Sequence, residues 1–261
     1  MPRTIRLLGL DFADLNLFQT AAWLSQRPPD DPFGYVVTPN ADHLVRLNRH
    51  PGLTMLYDDA MLRLLDSRVV EKLARLLGLP VPPVTPGSDL TELLLRYHLR
   101  PGDKITIVGL HPQHLPALVR NCGIEPPAHY NPPKGFEHNT TELAAAVQFV
   151  LANPARFILL AIGCPRQEIL AGAIQATNQA TGIGLCIGAS LDFLSGAANR
   201  APVWMQQAGL EWLHRMASNP SRLARRYLRD SPAIVPLLLR EWRGKSGPAS
   251  AAVPASRSPE E

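Results

Sequence analysis

Three short apolar runs, each closed by glycine, constrain this chain more than any other feature. They are Ile105-Thr106-Ile107-Val108-Gly109, Phe157-Ile158-Leu159-Leu160-Ala161-Ile162-Gly163 and Gly184-Leu185-Cys186-Ile187-Gly188. A half-exposed strand alternates apolar and polar residues, so continuously apolar runs of this length indicate strands covered on both faces. Helical patterns over 141–152 and 167–177 lie between them. Upstream, Tyr35-Val36-Val37-Thr38 stops at Pro39-Asn40 and leads into a helical stretch over 41–49, and an apolar run over 61–65 ends at Asp66. Buried strands alternating with helices predict an α/β fold, a largely parallel sheet flanked by helices. Ligands of such sheets bind at the carboxyl ends of the strands. Thr38 and Asn40, Asp66, the 164–167 turn and the 189–192 turn all converge there.

After Arg200-Ala201-Pro202 the pattern changes. One helix is predicted over 203–218, a second over 221–230, and a short apolar segment with basic flanks over 234–242. The division expected is an α/β core over 1–200, a basic helical appendage over 201–245 and a disordered Pro/Ala/Ser tail over 246–261. Charge follows the same division. Residues 201–245 carry a net charge of +5, whereas residues 1–200 sum to zero. The basicity therefore serves the C-terminal quarter, and the neutral core gives no support to a nucleic-acid partner.

Several chemistries lack their residues. No GxxxxGK[ST], HExxH, GxSxG or Asp-x-Asp occurs, and Gly182, Gly184 and Gly188 miss the dinucleotide-binding spacing. Cys122, Cys164 and Cys186 are odd in number and show no CxxC spacing, so neither a zinc motif nor a disulfide framework is indicated and a reducing compartment is expected. The N-terminal apolar patch is broken at Asp11, too early for a signal peptide, and no run approaches the length of a membrane span. A soluble or peripheral protein is expected.

Four clusters stand out. Thr38-Pro39-Asn40 puts polar groups at a strand end, either for a ligand or as a helix cap. Asp66 closes an apolar run, where a half-buried carboxylate suits proton abstraction and a second cap is the alternative. Gly163-Cys164-Pro165-Arg166-Gln167-Glu168 joins strand to helix, where backbone N–H groups can meet an anion or merely make a tight turn. Arg215, Arg222, Arg225, Arg226 and Arg229 form a basic series with few interspersed acids. Such a series suits phosphate oxygens, the alternative being a solvated basic face.

These clusters resemble the WecG/TagA/CpsF family of bacterial glycosyltransferases, glycosyltransferase family 26. The likeness is carried by residues 182–228, with R-A-P at 200–202, G-L-E-W at 209–212 and the spaced arginines after it. G-C-P-R-Q-E at 163–168, T-P-N-A-D-H-L at 38–44 and P-G-S-D-L at 86–90 add to it, over about residues 5–230. The resemblance implies a Rossmann-like core with a helical C-terminal appendage. It also implies metal-independent, cofactor-free, inverting transfer from a UDP-sugar to a polyprenyl-diphosphate-linked saccharide. Residue by residue, it makes Asp66 the base and places Thr38, Asn40 and Gln167 in the pocket. Asp192 falls near the nucleotide, and Arg215, Arg222 and Arg225 on the diphosphate. Two positions depart from the family pattern: Ser67 stands in place of glycine after the base, and Val84 in place of an arginine before P-G-S-D. Both bear on the donor pocket.

The chemistry agrees with that assignment. Inversion needs a base on the acceptor side and a counter-charge for the leaving diphosphate, and the basic appendage is the sizeable cationic supply. Lys and Arg side chains, worth about 1 kcal/mol each near an anionic membrane, together with Leu237–Leu239 and Trp242, would hold the enzyme at the inner face of the plasma membrane. The donor is expected to be of the UDP-N-acetylmannosamine type, with UDP-glucose or a UDP-uronic acid as alternatives. Self-association is left open. A basic nucleic-acid-binding protein and an inactive scaffold acting through the tail are the readings from other classes. Removal of 201–261 is expected to leave a folded, inactive core.

Overall fold

In the computed structural model, which describes residues 2–218 and 231–245, the apolar runs become the middle of a six-stranded sheet. The chain opens with β1 (Thr4–Leu7), β2 (Leu10–Ala13), α1 (Leu17–Gln26), β3 (Gly34–Val37), α2 (Ala41–Arg49), α3 (Met55–Asp58), β4 (Leu62–Arg63), α4 (Arg68–Leu76) and α5 (Gly87–Tyr97). It continues with β5 (Ile105–Gly109), α6 (Leu115–Cys122), β6 (Ala128–Tyr130), α7 (Thr140–Ala152), β7 (Phe157–Ala161), α8 (Arg166–Ala176), β8 (Ile183–Cys186) and α9 (Ser190–Leu194). The last described elements are α10 (Val203–Ala208), α11 (Glu211–Ser218) and α12 (Ile234–Lys245). The sheet order is β4-β3-β8-β7-β5-β6, every pair parallel. The expected α/β architecture with a Rossmann-like sheet is present, and a C-terminal helix follows it.

Alternate residues of each strand face opposite layers. Tyr35, Val37, Ile158, Leu160 and Cys186 pack with α2, α4, α7, α8 and α12 on one face. Val36, Phe157, Leu159, Ile183 and Leu185 pack with α1, α5, α6 and α9 on the other. The helix after β3 thus leaves on one face and the helix after β8 on the other. Adjacent strands whose exits diverge in this way open a crevice at their carboxyl ends.

Three differences from the sequence reading have physical causes. The N-terminal patch is a β1–β2 hairpin, turning at Leu8 (φ 50) and Gly9 (φ 83) as primed turns require. The helix predicted over 203–218 is two helices, because Gly209 (φ 76) closes α10. The Gly209 N–H bonds to the Gln206 carbonyl and the Leu210 N–H reaches back to Met205, the paired bonds of a Schellman cap. The 234–242 segment, expected to help hold the membrane, is part of α12. Its Ile234 and Leu238 are buried against α2 and α4, and Leu237 packs partly into the same core. The predicted helix over 221–230 and the tail over 246–261 lie outside the described residues. Among the described residues, no helix is long and apolar enough to cross a membrane.

Candidate active site

The site is assembled by backbone register. The parallel pairing of β3 with β4 runs on past both strands: the Leu64 N–H bonds to the Val37 carbonyl, and the Asp66 N–H to the Pro39 carbonyl at 3.0 Å. Asp66 is thereby fixed beside Thr38-Pro39-Asn40. A further segment pairs alongside, with Leu65 opposite Val84 and the Thr85 N–H on the Leu65 carbonyl at 2.8 Å. It delivers the N-terminus of α5 to Asp66, whose Oδ2 accepts the Gly87 N–H at 3.4 Å. A helix N-terminus attracts negative charge, which suits a carboxylate at this position. A Cβ at Gly87 would stand 2.9 Å from Thr38 Oγ1, so a larger residue there would have to displace the Thr38 hydroxyl.

Thr38 is buried and donates its hydroxyl to the Cys186 carbonyl at 3.2 Å, pinning the end of β3 to the end of β8. Asn40 caps α2, its Oδ1 accepting the N–H groups of Asp42 and His43. The capping alternative is therefore realised at Asn40, but not for the helix after Asp66. There Ser67 is the cap, its Oγ accepting the Val70 N–H at 3.2 Å. The serine that departs from the family pattern thus starts α4, and Val84 packs partly into the core.

Gln167 is buried, and both ends of its amide are engaged: Nε2 donates to Glu168 Oε1 and Oε1 accepts the Gly188 N–H, each at 2.9 Å. It ties the β7–α8 turn to the β8–α9 turn. Asp192 lies half-buried on α9, just past that second turn. Thr38, Asn40, Asp66, Gln167 and Asp192 therefore share the carboxyl edge of the sheet, around the β3–β8 crevice. Arg215 lies on α11, while Arg222 and Arg225 lie outside the described residues.

Two clefts flank this edge. One, of about 400 Å³, is bordered by Ser88, Arg96, Asn121, Phe193 and Arg200. The other, of about 390 Å³, is bordered by Asp42, Arg46, Arg49, His50 and Pro165. At the first, Arg200 forms an ion pair with Asp89, so the R-A-P and P-G-S-D segments meet in space.

Cys164 and Glu168, named in sequence only within the strand-to-helix turn, have surroundings that the sequence did not show, and Tyr57, which sequence reasoning did not single out, lies beside them. Glu168 is fully buried, and that burial pushes its carboxyl up, against the opposing hydrogen bond from Gln167. Its neighbour Cys164 is pushed up to about 12, chiefly by burial and next by the Glu168 charge. Tyr57 Oη lies 3.5 Å from Cys164 Sγ. The sequence signal for the burial of Glu168 is periodicity, since it sits three and six residues before the buried Ala171 and Ile174 on the apolar face of α8.

The carboxyl edge thus brings together a crevice, a carboxylate beside a helix N-terminus and a buried amide linking two turns. Comparison with known proteins gives the class of reaction. The model of the glycosyl transferase WecG/TagA/CpsF family matches residues 5–248, nearly the whole chain. This chain belongs to the WecG/TagA/CpsF family of glycosyltransferases.

Proposed function

We propose that this glycosyltransferase is inverting and metal-independent, and moves a sugar from a UDP-sugar to a polyprenyl-diphosphate-linked saccharide in the assembly of a bacterial surface polysaccharide. The observation that carries the reading is the placement of Asp66, held by the Pro39 carbonyl and the Gly87 N–H at the mouth of the β3–β8 crevice. In the reaction the Asp66 carboxylate takes the proton of an acceptor hydroxyl. The freed oxygen attacks the anomeric carbon from the face opposite UDP, and the bond from that carbon to the diphosphate oxygen breaks. UDP departs as an anion, met by Arg215, Arg222 and Arg225. Thr38, Asn40 and Gln167 shape the pocket, with Asp192 toward the nucleotide.

The acceptor's lipid places the work at the inner face of the plasma membrane, with the enzyme peripherally attached. Leu238 is committed to the core, so attachment falls to the basic charge of 201–245 and to the exposed Val203, Trp204 and Trp242. The donor is of the UDP-N-acetylhexosamine type, with UDP-glucose and UDP-uronic acids as the competing choices.

The test is UDP release from a panel of UDP-sugars, with a short lipid-diphosphate saccharide as acceptor and EDTA present. Release from one donor, dependent on the acceptor, is the expected result and identifies the sugar. Absence of release from every donor, together with no effect of UDP on thermal unfolding, would remove the proposal.

A further inference from the structure

We propose that His43, Cys164 and Glu168 form a binding site for a thiophilic divalent cation of the zinc class, in the wall behind the transfer pocket. The inference stands apart from the choice of donor and acceptor. The three residues are distant in sequence and show no metal-binding spacing, but the fold gathers them. His43 comes from the first turn of α2, Cys164 from the β7–α8 turn and Glu168 from the first turn of α8. One ligand atom from each, an imidazole nitrogen, the thiol sulfur and a carboxylate oxygen, lies within 4.8 Å of the other two. Bonds of about 2.0–2.3 Å to a tetrahedral ion would set such donors about 3.3–3.8 Å apart, a contraction within reach of side-chain rotation.

A second observation points at the same space. Glu168 is fully buried and its Oε1 is taken by Gln167, while its Oε2 makes no hydrogen bond of ordinary geometry among the described residues and has the Cys164 thiol and the Tyr57 hydroxyl as its polar neighbours. A buried carboxylate oxygen so weakly satisfied is costly, and an ion shared with Cys164 and His43 would meet it in full. The donor set also selects the ion. One nitrogen, one sulfur and one oxygen suit zinc or cobalt, whereas magnesium and calcium take oxygen cages. Three protein ligands leave a fourth position for water, beside Tyr57. At the rim Arg46 contacts both the Cys164 carbonyl and Asp42 Oδ2, so its positive charge is balanced by a neighbouring acid.

An ion here would bind Glu168 through Oε2 and leave the Oε1 bond to Gln167 intact. It would hold α2 to α8 behind Gln167 and touch no reacting atom. The ion is therefore a structural support, and transfer in its absence is compatible with the site.

The test uses the full chain, stripped with a chelator and titrated with cadmium, whose thiolate complexes absorb in the ultraviolet. Wild type should develop a thiolate-to-metal band that saturates at one equivalent, and both cadmium and zinc should raise Tm while magnesium leaves it unchanged. Cys164→Ser and His43→Gln should lose the band and the Tm rise, and Cys122→Ser should keep both. Tm of each ion-free variant reports that it is folded, and Cys164→Ala serves if the serine variant is not. A folded wild type with no band, or a band undiminished in Cys164→Ser and Cys164→Ala, overturns the proposal.

Discussion

Asp66 is placed by backbone pairing and Gln167 by its own side chain, and the two respond differently to change. Gln167 satisfies Gly188 on one turn and Glu168 on the next, in a buried setting where each lost partner leaves a polar group stranded. Gln167→Ala should therefore destabilise the protein by about 1–3 kcal/mol, measured by urea unfolding. A residue merely facing solvent in the pocket would show no such loss. The positions of Thr38, Asn40, Asp66 and Gln167 were legible in sequence because each follows an apolar run or opens a helix, whereas the roles proposed for them come from the family resemblance. His43, Cys164 and Glu168 were not legible as a group, since three elements that meet only in the fold supply them. Asn40 and Asp66 further show that a polar residue at a strand end does not announce its job: one caps a helix, while beside the other the capping falls to Ser67.

At the scale of elements, legibility followed burial. β5, β7 and β8 are buried along nearly their whole length and were evident as apolar runs, whereas β6 is half-buried and pairs on one side only. The β1–β2 hairpin depends on two turn residues with positive φ, one of them a leucine, which composition does not advertise. The division of α10 from α11 rests on a single glycine. Gly209 has φ 76, and a Cβ there would meet Val69 and Arg68 only at ordinary contact distances of 3.7–3.8 Å, so its role is conformational. Gly209→Ala should cost about 1 kcal/mol through the left-handed backbone alone, read as a lowered midpoint in denaturant. An unchanged midpoint would mean that the break between the two helices is set elsewhere.

For the whole molecule, the C-terminal quarter is more than an addition to a finished core. Ile234 and Leu238 of α12 are buried in the same cluster as the β3, β7 and β8 side chains, and Glu241 accepts the Leu8 N–H at 2.6 Å. Deletion from residue 231 onward should remove about 3–6 kcal/mol of burial, at about 1.5–3 kcal/mol for each of the two side chains. That is a large share of a typical domain's stability of about 5–15 kcal/mol. Truncation should thus lower Tm as well as activity, and an unchanged Tm would show that α12 only rests on the core. If transfer runs through the Asp66 carboxylate, with its backbone fixed on Pro39 and its Oδ2 on the Gly87 N–H, the decisive assay is acceptor-dependent UDP release by Asp66→Asn with the unfolding midpoint followed in parallel. The rate should fall by about 10²–10⁴ with the midpoint nearly unchanged. A folded Asp66→Asn that turns over at the wild-type rate would mean that another group takes the proton.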